Sequence, residues 1–353
     1  MQASNGRGQC ELVDKVISQG ICVKCGACVN LCPYFDYFDG RIVVTDDCHA
    51  DTWRCLQLCP RADYDDTSLD KEGAAQGEKS EIGALREIFI ARAKDEGIRG
   101  KAQYGGFVSS FLIYALEERL IRATILTDKG NEISPGGVIA KNRADILKCA
   151  GSRYTAAAGL AAFNRAIKDD GERLAVVGLP CQMEALARMR RMNPDGEERD
   201  GRVSLKIGLF CTWALDYRKL HNYLKTMGIG GPIQKYDIPP PPAQIFQVQT
   251  EQGWQTFPLD ELRPSIQEGC TLCQDMTAEW ADISVGTVEG MEGWNTVLVR
   301  SERGAQLLSG YVKAGHLEIR ELPEENLAHL IEASTNKRKR GNSAKKERRR
   351  KSA

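Results

Sequence analysis

The 353-residue sequence contains no run of eighteen or more apolar residues, so it encodes no helix of the kind that spans a bilayer. Its first residues, MQASNGRGQCELVDK, lack the apolar stretch of a secretory signal. Both absences point to the cytoplasm, with the periphery of a membrane complex as the other place that they allow. No Gly-x-Gly-x-x-Gly fingerprint follows a predicted strand, so the usual dinucleotide signature is missing. Histidine is scarce: His49, His221, His316 and His329 are scattered, and no Ser/His/Asp arrangement stands out, which makes acid–base hydrolysis unattractive. Nor is there an excess of one charge, with 48 basic and 48 acidic residues. The balance is uneven along the chain, however. Lys337 to Lys351 holds ten Lys/Arg and one Glu, which leaves 38 basic and 47 acidic residues in the body. That basic stretch has no interleaved aromatics, so nucleic acid is not its expected partner; an acidic protein surface suits it better.

Cysteine, by contrast, is abundant. There are 13, an odd number, mostly at metal-type spacings, as in a reducing compartment rather than a disulfide framework. Ile21 to Pro33 reads Cys22-x2-Cys25-x2-Cys28-x3-Cys32-Pro33, the bacterial ferredoxin run for 4Fe–4S clusters. A second, altered run follows, in which Cys55-x3-Cys59-Pro60 is intact but Cys48 has no Cys partner three residues on. The crossover pattern of ferredoxins would give Cys22, Cys25, Cys28 and Cys59 one cluster. It would leave Cys32, Cys48 and Cys55 for a second, with Asp51 in the position of the missing thiolate and Cys10 and His49 as rivals. A three-iron cluster or no second cluster are the other outcomes.

The chain divides at composition shifts. Residues 1–65 form the cysteine-rich module, and residues 66–82 are a polar, Gly-rich linker. Residues 83–332 are a mixed α/β core, and residues 333–353 are the basic tail, expected to be disordered or an exposed helix. In the core, Gln103-Tyr104-Gly105-Gly106 opens an amphipathic helix, and the strand RATILTD follows. A helix over Asn142–Cys149 leads to the turn Gly151-Ser152-Arg153-Tyr154, and a second helix runs to Lys168. The strand before Pro180-Cys181-Gln182 and the strand ending in Cys211 are each followed by a helix. Residues Phe246 to Pro258 alternate like a hairpin. Strands that run into helices with unusual residues at the turns suggest a sheet whose strand ends build a site. Were the strands before Cys181 and Cys211 neighbours, both thiols would emerge on one edge, and the Cys270-x2-Cys273 pair could complete a four-thiolate site. Ordinary buried cysteines are the alternative. Gly105-Gly106 could let backbone N–H groups approach a phosphate.

Taken together, QYGGFVSSFLIYALE, GSRYT, GLPCQ, GLFC and CTLCQDMTAEWADISVGTVEGMEGWNTVLVR resemble the beta subunits of coenzyme F-420 hydrogenases and dehydrogenases. The likeness runs from the cysteine module to about residue 332, and the layout is most similar to an F-420H2 dehydrogenase input subunit. The resemblance implies a ferredoxin-like 4Fe–4S module followed by a flavin-binding α/β core, with FAD and two or three 4Fe–4S clusters. One cluster would be held by Cys181, Cys211, Cys270 and Cys273. It implies cofactor-binding segments at Gly105, Gly106, Ser152, Tyr154, Gly286, Thr287, Trp294 and Asn295. Redox partner subunits follow too, of hydrogenase, formate dehydrogenase, membrane dehydrogenase or heterodisulfide-reductase-like type. The expected chemistry is a hydride from reduced F-420 to FAD N5, then single electrons through the clusters, with no catalytic side chain required. NAD(P)H as the hydride donor, and a purely electron-transferring adaptor, are the alternatives.

Overall fold

The computed structural model describes residues 7–50, 53–62, 80–128, 135–169, 172–191, 200–240 and 242–352. Asp51 and most of the 66–82 linker lie outside the described residues. The N-terminal segment begins with α1 (Arg7–Leu12), which runs into a π-helical turn, Val13–Ile17. A hairpin of β1 (Phe35–Phe38) and β2 (Arg41–Val44) follows, then α2 (Arg54–Gln57). The hairpin turns on Asp39 and Gly40, both at positive φ (46° and 72°), the backbone that a tight two-residue turn between twisted strands requires.

This segment does not keep a core to itself. Leu12, Val16, Ile21, Val29, Phe35, Ile42 and Leu56 pack with Ala158, Ala161 and Leu272 of the following domain. Gly26, at φ +83°, lies so close to Ala158 that a Cβ would meet its backbone at 2.8 Å. Asn164 donates to the carbonyls of Ala27 and Val29 at 2.9 and 2.8 Å. The expected fold class is corrected on this point. A mixed α/β core with several sheets is present, but the ferredoxin-like 4Fe–4S module is not borne out. Among the described residues no group of three or more His, Cys, Asp or Glu side chains is arranged to hold a metal ion.

The core is built on an eight-stranded sheet. Its elements in chain order are β3 (Glu87–Ala93), α3 (Glu96–Lys101), α4 (Phe107–Glu117), β4 (Ala123–Thr127), β5 (Gly137–Ala140), α5 (Arg143–Cys149), α6 (Gly159–Lys168), β6 (Leu174–Gly178), α7 (Pro180–Arg191), β7 (Val203–Leu209) and α8 (Tyr217–Thr226). A small antiparallel sheet follows, from β8 (Lys235–Asp237), β9 (Ile245–Thr250) and β10 (Gly253–Pro258). Next come α9 (Leu259–Leu262), α10 (Glu268–Thr271), β11 (Ile283–Thr287), β12 (Asn295–Val299), α11 (Glu302–Lys313), β13 (Leu317–Arg320) and α12 (Glu324–Ser352). The large sheet has the order β13-β3-β12-β11-β7-β6-β4-β5. Its centre, β11-β7-β6-β4, is parallel, and the outer strands pair antiparallel.

Successive residues of a strand face opposite sides, so β6 serves two cores. Ala175 faces Phe107, Phe111 and Leu112 of α4 and Tyr311 of α11. Leu174 and Val176 face Phe163 of α6, Met183 and Leu186 of α7, and Val23 and Leu31 of the N-terminal segment. Helices on both faces explain why the parallel strands read as nearly continuous apolar runs. Asn142 caps α5 by accepting from the Asp145 N–H, and Asp216 caps α8 by accepting from Arg218 and Lys219.

The basic tail is ordered rather than disordered. Residues 324–352 form one helix, α12. Ser334, Lys337 and Gly341, at helical spacing, are buried. Gly341 packs where a Cβ would stand 2.6 Å from the Cys273 carbonyl. Arg338 pairs with Glu279 at 2.5 Å, Arg340 donates to the Thr212 carbonyl at 3.3 Å, and Arg348 reaches Gln19 at 3.3 Å. The helix therefore lies along the core and ends on the N-terminal segment.

Candidate functional site

In an open parallel sheet, ligands bind outside the carboxyl ends of the strands. Those ends here carry Asp128 after β4, Leu179 to Cys181 after β6, and Phe210 and Cys211 after β7. Residues 150–158 run across them. Arg153 Nε donates to the Asp128 carbonyl, Gln182 Nε2 to the Ala157 carbonyl, and Leu215 N to the Tyr154 carbonyl.

Beside this edge, Gly105 and Gly106 open α4. Gly106 is its N-cap at φ +74°, and a Cβ on Gly105 would stand 2.7 Å from Asn295 Oδ1 and 2.9 Å from the Ala91 carbonyl. Asn295 Oδ1 accepts from Phe107 N at 3.2 Å, while its Nδ2 donates to the Gly286 carbonyl. A Cβ on Gly286 would collide with the Phe210 ring. The Thr287 carbonyl accepts from Thr296 Oγ1 at 3.0 Å. Ser152 N donates to Gln103 Oε1 at 3.2 Å. Gln103 Nε2, Tyr104 OH and Tyr154 OH converge on one oxygen, Asp237 Oδ1, at 2.8, 3.2 and 3.3 Å. Burial, and then the Asp237 charge, push the Tyr104 phenol up; burial and the neighbouring Tyr104 push the Tyr154 phenol up. Both therefore stay protonated as donors. Trp294 is different. It is buried with Ile90 and Val288, and the guanidinium groups of Arg92 and Arg320 lie 4.7 and 4.4 Å from its ring centroid. Those contacts give it a packing role.

The thiols line two small cavities. Cys22, Cys25, Cys28, Cys55 and Cys59 face one, of about 20 Å³. Cys181, Cys211, Cys270 and Cys273 face the other, also about 20 Å³, with Arg61 and Lys337. Strands β6 and β7 are parallel neighbours, which brings Cys181 and Cys211 to the same edge. Cys32 and Cys48 line neither cavity. The cofactor expectation is nevertheless corrected. Among the described residues no metal-holding group forms, so the proposed clusters on these cysteines are not supported. Neither is the electron path through them, nor the iron–sulfur and FAD character that the resemblance implied. Burial pushes the Cys22 thiol up to about 11, with Cys59 adding to the effect. Burial takes Cys55 to about 12, with Cys32 adding, and Cys211 to about 12 despite Lys337. Each cavity also has room for only one or two water molecules.

Several site residues escaped the sequence reading. Lys337 sits in a run of like residues that nothing distinguishes, yet it is buried and donates to the Cys211 carbonyl. Lys24 and Asp216, 192 positions apart, form a 2.5 Å ion pair. Asp237 follows an unremarkable Tyr and precedes the four prolines.

The fold and its loops thus define an open mixed α/β sheet with a cluster of hydrogen-bonded polar residues at its carboxyl edge. Comparison with known proteins places it further. Two family models, both described as "Coenzyme F420 hydrogenase/dehydrogenase, beta subunit", match the chain: the N-terminal one over residues 88–164 and the C-terminal one over residues 171–325. The beta chain of coenzyme F420 hydrogenase from Methanothermobacter thermautotrophicus is 30% identical over 247 residues, 69% of this chain and 87% of that protein. A component of the F(420)H(2) dehydrogenase of Methanosarcina mazei is 26% identical over 94% of this chain and 92% of its own length. The structure of the F420-reducing [NiFe] hydrogenase complex from Methanosarcina barkeri contains a chain that is 30% identical. It superposes with a TM-score of 0.72, covering 77% of this chain and 94% of that one. The chain belongs to the coenzyme F420 hydrogenase/dehydrogenase beta-subunit family, and is an oxidoreductase of that type. No helix among the described residues is long and apolar enough to cross a membrane.

Proposed function

We propose that this chain is the coenzyme F420-handling subunit of a larger oxidoreductase, and that it works beside a hydrogenase-type partner. The observation that carries this reading is the superposition of 77% of the chain on a subunit of an F420-reducing hydrogenase complex. The polar residues gathered at the carboxyl edge support it. Gly105 packs so closely on Asn295 and the Ala91 carbonyl that any Cβ would displace the start of α4. Asn295 ties that loop to β11 and fixes its distance from the sheet. Ser152 and Tyr154 carry the opposite wall, held by Gln103 and Asp237. Such a wall binds and orients a planar ring. No side-chain acid or base is assigned to that exchange.

The test is direct. Anaerobically purified protein, given reduced coenzyme F420 and a viologen dye, should restore the absorbance of oxidised F420 as the dye is reduced. Dye reduction by NADH but not by reduced F420 would move the chain to a nicotinamide substrate and sink this reading.

A further inference from the structure

Two arginines in the core make an instructive pair. Arg300, 1% exposed, has every guanidinium nitrogen engaged. It donates to Ser284 Oγ at 2.7 Å, and to the carbonyls of Ala84, Ile82 and Thr277 at 2.8, 3.0 and 3.2 Å. Its role is complete within the chain: it fastens residues 82–84 to the sheet.

Arg153 is not satisfied in this way. Its Nε donates to the Asp128 carbonyl at 3.3 Å and its Nη1 to the Ser152 carbonyl at 2.9 Å. Nη2 is shut off from solvent and has no hydrogen-bond partner among the described residues. The neighbouring acid, Asp128, accepts the Gly136 N–H on Oδ1 at 2.9 Å. A guanidinium stays charged at any physiological pH and has five N–H donors, so an orphaned one in a native structure calls for a partner from outside.

Its position says what that partner is. Arg153 lies between Ser152 and Tyr154, on the segment that crosses the carboxyl edge, and Gln103 and Tyr104 lead from it to the Gly105-Gly106 helix start. The neighbouring donors Gln103 Nε2, Tyr104 OH and Tyr154 OH are spent on Asp237 Oδ1, which leaves the partly buried positive charge of Arg153 as the group facing a ligand there. We propose that Arg153 is the residue that recognises an anionic oxygen group, phosphate or carboxylate, on the substrate at this edge. Its unspent Nη2 can give such a group a charge-assisted N–H bond. The inference rests on the reading of coenzyme F420 as substrate. That deazaflavin carries its phosphate and carboxylates on a side chain away from the reacting ring, so Arg153 is a binding and positioning residue rather than a participant in hydride exchange.

The experiment compares wild type, Arg153→Lys and Arg153→Gln in the viologen assay with three reduced deazaflavins. These are the whole coenzyme, a form trimmed of its carboxylates but keeping the phosphate, and the neutral ring alcohol. Arg153→Gln should raise KM for the whole coenzyme about ten-fold or more, leave kcat within about two-fold, and leave KM for the neutral alcohol unchanged. Arg153→Lys should fall between. If the trimmed form shows the same ten-fold effect, the phosphate is the group recognised; if it behaves like the neutral alcohol, a carboxylate is. An unchanged KM in Arg153→Gln, or an equal rise for the neutral alcohol, overturns the proposal. Should wild type oxidise none of the deazaflavins, the functional reading fails, and titration calorimetry with inorganic pyrophosphate decides Arg153 separately. Binding to wild type that is lost in Arg153→Gln supports an anion site, and no difference between the two removes it.

Discussion

The core of residues 88–325 and the chain that flanks it are held by different physics. In the core, one sheet buries both faces, and apolar side chains from α4, α6, α7 and α11 interlock with it. The flanking segments, Arg7–Ala62 and α12, bury some apolar surface too. Their attachment, however, runs through close backbone approaches and single polar contacts: Gly26 on Ala158, Gly341 on Cys273, Lys24 on Asp216, Lys337 on the Cys211 carbonyl, Arg338 on Glu279. An apolar face tolerates changes that keep its volume, whereas a close approach tolerates no added atom. The flanks should therefore fail abruptly at single positions and the core gradually.

The comparison can be broken most severely by removing α12. A chain ending at Leu322 should melt about 10 °C lower or more by calorimetry, since it uncovers Cys211, Cys273 and Glu279 together. An unchanged melting temperature would show that α12 merely rests on the core. Next in size is Lys24→Met, which leaves Asp216 half-buried without its cation; breaking such a pair costs on the order of 3 kcal/mol in denaturant unfolding.

The same pair carries a pH signature. Burial opposes ionisation of Asp216, but the Lys24 hydrogen bond, its charge and two backbone amides together hold the carboxyl below its usual range. A carboxyl with a lowered folded-state pKa contributes stability above its unfolded pKa of about 3.9, and that stability is lost as pH falls through the folded value. The stability difference between wild type and Asp216→Asn should be full at neutral pH and shrink below about pH 4. A difference that stayed constant to pH 2 would dissociate Asp216 from acid unfolding.

Smaller effects sharpen the contrast within the site. Gly105→Ala pushes a methyl against Asn295 Oδ1 and the Ala91 carbonyl, and should cost about 1–3 kcal/mol while weakening substrate binding in the viologen assay. Gly106→Ala meets Ile98 at an easier 3.3 Å, but must hold φ at +74°; about 1 kcal/mol is expected, the smallest change of the set.

Much of the core was legible in the residues. The helix expected over Asn142–Cys149 is α5 with Asn142 as its cap, and the hairpin read from alternation at Phe246 to Pro258 is β9 and β10. Cys181 and Cys211 do leave adjacent parallel strands. These features have periods or caps that repeat within a few residues, so local chemistry specifies them. Of the two states expected for the tail, disordered or an exposed helix, the helix is the one found; its composition is that of a solvated chain, and among its described side chains only Ser334, Lys337 and Gly341 are buried. The metal expectation rested on spacing, which fixes where cysteines lie along the chain but not whether they form a metal-holding group, and among the described residues none forms.

What the sequence by itself determined is the mixed α/β core, the family and the glycine-bearing loops, because periodicity and turn chemistry are local and each residue carries its own part of them. What only the tertiary structure decided is how distant residues meet. Examples are Lys24 with Asp216, Tyr104 and Tyr154 on Asp237, α12 over the Cys211 carbonyl, and Arg153 with a nitrogen left over. The physical reason is that burial and hydrogen bonding depend on neighbours in space, and these contacts join segments as far apart as Lys24 and Asp216.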